Sequence, residues 1–146
     1  MQRFGAGVTL TIEEFIWPVR VYYEDTDSAG IVYHASYLRF MERARTEWLR
    51  SLGFELPELE NRYRVLFTVS RMQIDFLRPA RFNDMLDVIL RRARMGRASF
   101  VLEQLVCRAD REPLCRAEVR IACVNALNLR PCPIPEAVCM ELKRDR

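Results

Sequence analysis

The stretch "YLRFMERARTEWLRSL" (residues 37–52) decides the fold, because it carries the helical pattern around which the other segments can be arranged. Its apolar residues recur every three or four positions, with arginine and glutamate between them, as on a helix that buries one face. Ser36 is a candidate N-cap and Gly53 a candidate C′ residue. The sequence therefore predicts one helix of about four to five turns between these two residues.

Five stretches of the sequence have the composition of β-strands. One precedes the helix, at residues 17–23, and four follow it, at 63–77, 84–94, 98–108 and 115–123. The last alternates most clearly, with apolar residues at every second position and charged residues between them. Short turns at 95–97 and 109–112 join the last three strands as hairpins. A single helix ahead of antiparallel strands buries its apolar face by lying across their sheet, so we predict an α+β domain of two layers.

Length and composition favour a single domain. The chain has 146 residues, half of them hydrophobic, which is enough to bury one core without disulfides or metals. We assign residues 1–146 to this domain and expect residues 1–14 to form a flexible or loosely packed N-terminal extension. Glu13 and Glu14 come too early for a signal peptide, and no long apolar run occurs, so we expect a cytoplasmic protein without a transmembrane segment.

Charge and cysteine usage argue against several classes of function. The net charge is +3, and the basic residues are arginines except for Lys143. Since the arginines alternate with Asp and Glu instead of forming a basic stripe, we expect no nucleic-acid partner. The five cysteines include no C-x-x-C pair and have a single histidine to join them, which argues against a disulfide framework and a zinc site. We expect reduced, mostly buried thiols.

The strand at 98–108 is apolar on both faces of the predicted sheet. Leu102 and Val106 point to one side, and Leu105 and Cys107 point to the other. One side packs against the helix, and the other is too apolar to stay exposed to water. We therefore expect the chain to associate with itself.

Asp27 is the strongest candidate for a catalytic residue. It follows the first strand and precedes Ser28, Ala29 and Gly30, whose small side chains allow a tight turn and the close approach of a ligand. A carboxylate facing backbone N–H groups at a helix start can attack or activate water while the amides stabilise an oxyanion. The alternative is that Asp25 or Asp27 hydrogen-bonds only to the backbone of its own turn. The spacing alone leaves both interpretations open.

Residues 19–50, "VRVYYEDTDSAGIVYHASYLRFMERARTEWLR", resemble the signature of hotdog-fold acyl-CoA thioesterases of the 4-hydroxybenzoyl-CoA thioesterase family, most closely the Tol-Pal system-associated acyl-CoA thioesterases. The resemblance continues through "FTVSRMQIDFLRPARFNDML" (67–86) and "AEVRIACVNALNLRP" (117–131), so it covers nearly the whole chain. It implies the hotdog fold, in which an antiparallel five-stranded sheet wraps around one long helix, and a homo-oligomer that is a dimer or a dimer of dimers. It also implies hydrolysis of an acyl-CoA to a free carboxylic acid and CoA. No cofactor is implied, because CoA is part of the substrate.

The resemblance also assigns roles to residues near the helix start. Asp27 matches the second Asp of the family's D-x-D-x-x-G motif and would be the nucleophile or general base, while Gly30 supplies the turn. The backbone N–H of His34 would polarise the thioester carbonyl, with an imidazole that positions water as the alternative. Tyr33 and Tyr37 would line the substrate pocket, and for Tyr37 a place in the helix core is the alternative.

Arginines near the sheet edge are candidates to bind the phosphates of CoA. A guanidinium can bind a phosphate through two N–H groups at once, which suits Arg78 and Arg97, and Arg81 as a third candidate. For each of them the alternative is an ordinary solvated surface charge.

Two other functions fit parts of the pattern. The order Asp27 then His34 would also suit a hotdog enoyl-CoA hydratase, in which a carboxylate and an imidazole move protons on carbon. The Tol-Pal association suggests an interaction module of the cell-envelope or phospholipid-synthesis machinery with weak hydrolysis, for which acyl carrier protein is a candidate partner. Release of CoA from acyl-CoA distinguishes the thioesterase from both.

Overall fold

The computed structural model describes the backbone of residues 8–143 and the side chains of residues 14–91 and 94–143. Its sheet has five antiparallel strands in the order β1-β3-β4-β5-β2, and the long helix α1 (His34–Ser51) packs against the sheet. The strands are β1 (Val8–Arg20), β2 (Val65–Phe76), β3 (Met85–Met95), β4 (Ser99–Arg108) and β5 (Pro113–Asn125). The predicted α+β fold with a five-stranded antiparallel sheet and one long helix is confirmed.

Helix α1 forms the centre of the core. Phe40, Met41, Ala44 and Trp48, which lie on its apolar side, are at most 5% exposed. The Trp48 ring lies 6.3 Å from the ring of Phe100 on β4, so the helix contacts the middle of the sheet. The apolar positions of the predicted helix are therefore the residues that form the core.

Helix α1 begins about one turn earlier than the sequence pattern predicts. Its N-cap is Tyr33, and Ser36 lies within the first turn, where its buried hydroxyl donates to the carbonyl of Asp25 at 3.0 Å. The prediction that Ser36 is the N-cap is wrong, because this hydroxyl binds the preceding loop instead of the helix's own N–H groups. At the other end Gly53 has a φ of +96° and follows the C-cap Leu52, so the predicted C′ residue is confirmed.

Strand β1 begins earlier than predicted. It runs from Val8 to Arg20 and pairs with β3 at both of its ends. Residues 8–14 therefore belong to the sheet, and the expectation of a loosely packed extension over residues 1–14 is wrong for that part. Residues 1–7 lie outside the described residues. A register shift lies between Thr11 and Phe15, where the sequence has the acidic pair Glu13 and Glu14, so β1 does not read as one continuous strand.

Three shorter helical segments complete the described chain, the first a 3-10 turn at Tyr23–Asp25 before α1. Helix α2 (Leu56–Glu58) continues into a π-helical turn (Leu59–Tyr63), and α3 (Glu136–Lys143) lies near the C-terminus. Helix α3 is amphipathic and buries Val138 and Leu142 in the main core. Among the described residues, no helix is long and apolar enough to span a membrane.

The face of the sheet away from α1 is better shielded than its sequence suggests. Ile89, Leu105 and Cys107 form a small cluster there and are at most 5% exposed in a single copy of the chain. Long side chains, including those of Arg91 and Arg111, line the same depression, and their apolar stems can cover such a cluster. The apolarity of β4 on this face is therefore no reason by itself to expect self-association.

Candidate active site

Asp25 fixes the loop between β1 and α1. Its carboxylate Oδ2 accepts the N–H of Tyr22 at 2.8 Å, and its carbonyl accepts the N–H of Tyr33 at 2.9 Å and the hydroxyl of Ser36 at 3.0 Å. The residue is only 4% exposed. For Asp25 the interpretation as a turn-stabilising carboxylate is therefore confirmed, and its contacts hold the loop against the start of α1.

Asp27 makes hydrogen bonds within its own turn and keeps one carboxylate oxygen free. Its Oδ1 accepts the N–H of Ala29 at 2.8 Å, and its carbonyl accepts the N–H of Gly30 at 3.0 Å. Gly30 has a φ of +79°, which L side chains rarely adopt, so the turn depends on glycine at this position. Asp27 is exposed, and its Oδ2 makes no hydrogen bond to any described residue. One carboxylate oxygen thus holds the turn and the other is available to a substrate.

An open groove of about 390 Å³ lies in front of Asp27. One side comes from the loop and the first turn of α1, and the other comes from the end of β2 and the segment after it. The residues that line the groove are Asp27, Ile31, Val32, His34, Tyr37, Phe76, Leu77, Arg78 and Pro79. The structure therefore brings Asp27, His34, Tyr37 and Arg78 of the predicted site residues to one place.

His34 is the first residue of α1 and presents the positive end of the helix to the groove. The side chain of the N-cap Tyr33 makes no capping hydrogen bond, and the N–H of His34 has no acceptor among the described residues. The imidazole lies between two aromatic rings, 4.4 Å from Tyr33 and 6.2 Å from Phe76 by ring centroids. An unpaired N–H at a helix start is a suitable donor to a developing oxyanion.

Tyr33 and Tyr37 occupy different environments beside His34. Tyr33 is 46% exposed, and its contact with the groove is through the His34 ring. Tyr37 is 3% exposed, and its hydroxyl accepts the N–H of Ala80 at 3.0 Å. Burial raises the pKa of the Tyr37 phenol. Tyr37 is thus a core residue that also forms the floor of the groove.

We expect Tyr37→Phe to lower the free energy of unfolding by about 1–3 kcal/mol, because the buried N–H of Ala80 loses its acceptor. Urea denaturation of the two proteins measures the difference. Tyr63→Phe is the matched control, since the Tyr63 hydroxyl makes no hydrogen bond within the described chain. Equal unfolding midpoints for the two variants would mean that the Tyr37 hydroxyl contributes nothing to stability.

Two of the three candidate phosphate-binding arginines lie at opposite ends of the sheet. Arg78 lines the groove, and its Nε is 3.4 Å from a carboxylate oxygen of Glu112. Arg97 lies in the turn after β3, whose 11 residues span roughly 35 Å from the groove end of the sheet. Within one chain Arg97 is therefore too far from Asp27 to share a site with it.

Three residues on the far wall of the groove are not singled out by the sequence analysis. Phe76, Leu77 and Pro79 form the wall opposite His34, and they are separated from it by more than forty residues of chain. Their only signal is that they belong to "DFLRPAR" (75–81), which lies within the region of family resemblance. In the described part of the chain, no group of three or more His, Cys, Asp or Glu residues could hold a metal ion.

The sequence profile of the thioesterase-like superfamily matches residues 21–142, which include every residue of the groove. The chain belongs to the thioesterase-like superfamily. The resemblance that the sequence carries to hotdog-fold thioesterases is thus confirmed, and so is the hotdog fold of this superfamily member.

Named relatives agree with this family. Acyl-CoA thioester hydrolase YbgC of Escherichia coli O6:H1 is 44% identical over 89% of this chain and 96% of its own length. Acyl-CoA thioesterase YbgC of Haemophilus influenzae is 41% identical over 85% of this chain and 90% of its own length. Among solved structures, a 1,4-dihydroxy-2-naphthoyl-CoA thioesterase from Synechocystis has a TM-score of 0.82 and 25% identity, covering 89% of this chain and 96% of that one.

Proposed function

We propose that this member of the thioesterase-like superfamily hydrolyses an acyl-CoA to a free carboxylic acid and CoA in the groove at the start of α1. The enzyme class, a thioester hydrolase, follows from the family and from the named relatives. One observation carries the location of the reaction. The free oxygen of Asp27 and the unpaired N–H of His34 line the same groove, so a nucleophile or base and an oxyanion donor can reach one carbonyl.

The arrangement can perform hydrolysis by two routes. The thioester oxygen would accept the N–H of His34, whose position at the helix start favours negative charge. Asp27 would then either attack the carbonyl carbon, forming a mixed anhydride that water cleaves, or take a proton from the water that attacks. In both routes the thiolate of CoA leaves and is protonated. The hydrogen bond from Ala29 fixes the Asp27 carboxylate in one orientation.

A panel of acyl-CoA substrates tests this function. It should run from short aliphatic through long-chain to hydroxybenzoyl and dihydroxynaphthoyl groups, because the named relatives include a hydrolase of an aromatic acyl-CoA. The measurement is the amount of CoA thiol released per enzyme molecule. The enzyme concentration is kept low enough that the thiols of the protein add nothing measurable to the CoA signal. Addition of water to an enoyl-CoA without CoA release would support a hydratase instead. Binding of acyl carrier protein with no turnover of any substrate would support an interaction module.

Arg78 is the proposed contact for the phosphates of CoA. We expect Arg78→Ala to raise KM for an acyl-CoA about tenfold, the scale of one lost charge-assisted hydrogen bond, with kcat nearly unchanged. Arg116→Ala, which removes an exposed arginine on the other face of the sheet, is the control. For a substrate with the same acyl group on a short thiol that has no nucleotide, Arg78→Ala should leave KM unchanged. An equal rise in KM for both kinds of substrate would exclude a phosphate contact.

We also propose that the active form is a homo-oligomer, a dimer or a dimer of dimers, that acts in the cytoplasm without a metal or redox cofactor. Strand β2 supports association, because it is at the edge of the sheet and exposes Val69 and Phe76. In such an oligomer Arg97 could serve the groove of a neighbouring copy, although it cannot serve its own. Sedimentation of the purified protein measures the state directly.

A further inference from the structure

Two of the five cysteines face each other at the C-terminal end of β5. After this strand the chain turns back, and the N–H of Cys132 donates to the carbonyl of Cys123 at 3.0 Å. The neighbouring residues Val124 and Pro131 form an antiparallel bridge. The two Sγ atoms are 3.8 Å apart, and the Cys123 Sγ also lies 3.6 Å from the carbonyl oxygen of Pro133.

This geometry is close to that of a disulfide. Directly opposed residues of an antiparallel pair have Cα atoms about 4.5 or 5.5 Å apart, and both distances fall in the range of about 4.4–6.8 Å found for disulfides. The sulfur atoms would have to approach from 3.8 Å to about 2.0 Å, which rotation of the side chains can supply. Among the other three thiols, Cys107 and Cys115 lie in different clusters on the two faces of the sheet. Cys139 is close enough to Cys123 to raise its pKa, but the Cys139 Sγ donates to the carbonyl of Ile134.

We propose that Cys123 and Cys132 form an oxidation site at which hydrogen peroxide closes an intrachain disulfide. The disulfide ties the segment of residues 131–143 to the end of β5. Both cysteines are reduced in the structure, and the disulfide would be a second, oxidised state of the same pair.

The order of the two steps follows from the exposure of the thiols. Cys132 is partly exposed, whereas Cys123 is fully buried, and burial raises the pKa of Cys123 to about 12. The Cys132 thiolate attacks a peroxide oxygen, the O–O bond breaks, and a sulfenic acid forms while hydroxide leaves. The hydroxide takes up the proton that the Cys132 thiol had released and becomes one water. The Cys123 sulfur then attacks the Cys132 sulfur, the S–O bond breaks, and hydroxide leaves with the Cys123 proton as a second water. Two thiols have lost two electrons, and one peroxide has gained them.

The segment that the disulfide would tie down contributes to the core. The N–H of Ile134 donates to the carbonyl of Arg97 at 2.9 Å, and α3 buries Val138 and Leu142 beyond it. In the reduced protein, non-covalent contacts such as these hold the segment on the sheet. A covalent link at Cys132 restrains its detachment, so we expect the oxidised protein to lose its C-terminal segment to proteases more slowly.

Peptide mapping of the oxidised full-length chain tests the site. Hydrogen peroxide should reduce the thiols counted after denaturation from five to three and remove the mass of two hydrogen atoms. Trypsin does not cut between Arg130 and Pro131, and it leaves Cys123, Cys132 and Cys139 in one peptide. Chymotrypsin can cut after Leu127 and Leu129 and separate the first two, so it should yield two peptides joined by a bond that reductant breaks.

Two variants control the assignment. Cys132→Ser should abolish the mass loss, and Cys139→Ser, which changes a neighbouring partly buried thiol, should leave it unchanged. The rate should rise with pH, because the thiolate is the attacking species in thiol oxidation and exchange. A mass loss that persists in Cys132→Ser, a link to another cysteine, or oxidation that stops at sulfinic acid would each overturn the proposal. Should Cys132→Ser fail to fold, Cys132→Ala gives the same comparison.

Discussion

Asp27→Asn is expected to lower kcat for acyl-CoA hydrolysis by at least about 10²-fold, the usual scale for losing an acid, base or nucleophile. Asparagine has the same shape, and its amide oxygen can still accept the N–H of Ala29, so the turn is retained. What it lacks is the second, basic oxygen that is free in the groove. The loss should therefore fall on kcat, with the folded structure and KM changed little.

Asp75→Asn is the matched control for this change. Asp75 is an exposed aspartate on β2, next to the groove residue Phe76, but it lines the depression on the other face of the sheet. Circular dichroism and urea denaturation of both variants confirm that each is folded before activities are compared. Turnover of Asp27→Asn near that of the Asp75→Asn control would remove Asp27 from the reaction.

The contrast between Asp25 and Asp27 shows what sequence spacing leaves undecided. Both are aspartates in the same short loop, and either could cap its turn. Only the three-dimensional structure shows that Asp25 is buried among loop and helix contacts while Asp27 is exposed in the groove. Burial depends on Ser36 and Tyr33, whose contacts with Asp25 form only when α1 docks against the loop.

Local patterns predict the elements of this fold well where their periodicity is uninterrupted. Helix α1 and the hairpin turns after β3 and β4 follow from residue spacing, because each depends on neighbours a few positions away. The full length of β1 does not, since a register shift between Thr11 and Phe15 interrupts it and its partner β3 is distant in sequence. The order in which strands pair is likewise set by contacts distant in sequence.

The groove likewise combines residues that a local sequence pattern can indicate with residues that it cannot. The loop and helix start that carry Asp27 and His34 are contiguous in sequence, so a motif can reveal them. The opposite wall comes from the end of β2, and nothing in the local pattern at Phe76 indicates that it meets His34. For the same reason Arg78 and Arg97 are equivalent candidates in sequence, and the structure separates them by the length of a strand.

Two substitutions of His34 distinguish its backbone from its side chain. His34→Pro removes the N–H, and we expect kcat to fall by about 10²–10³-fold, the cost of losing an oxyanion donor. His34→Ala keeps the N–H, and we expect a loss within about tenfold. Proline fits this position because it is the first of the helix and because Tyr33 already has φ −62° and ψ 136°, a conformation compatible with a following proline.

The two variants separate the backbone of His34 from its side chain, because both remove the imidazole and only His34→Pro removes the amide N–H. Circular dichroism should show equal helix content, and pH–rate profiles of wild type and His34→Ala should keep the same shape. An imidazole acting as general base would instead give a rate that falls when the imidazole is protonated, and His34→Ala would abolish this fall. If His34→Ala loses as much kcat as Asp27→Asn, the side chains of His34 and Asp27 act as a dyad and the oxyanion donor lies elsewhere. If kcat falls strongly only in His34→Pro, the backbone N–H at the start of α1 is the group that stabilises the transition state.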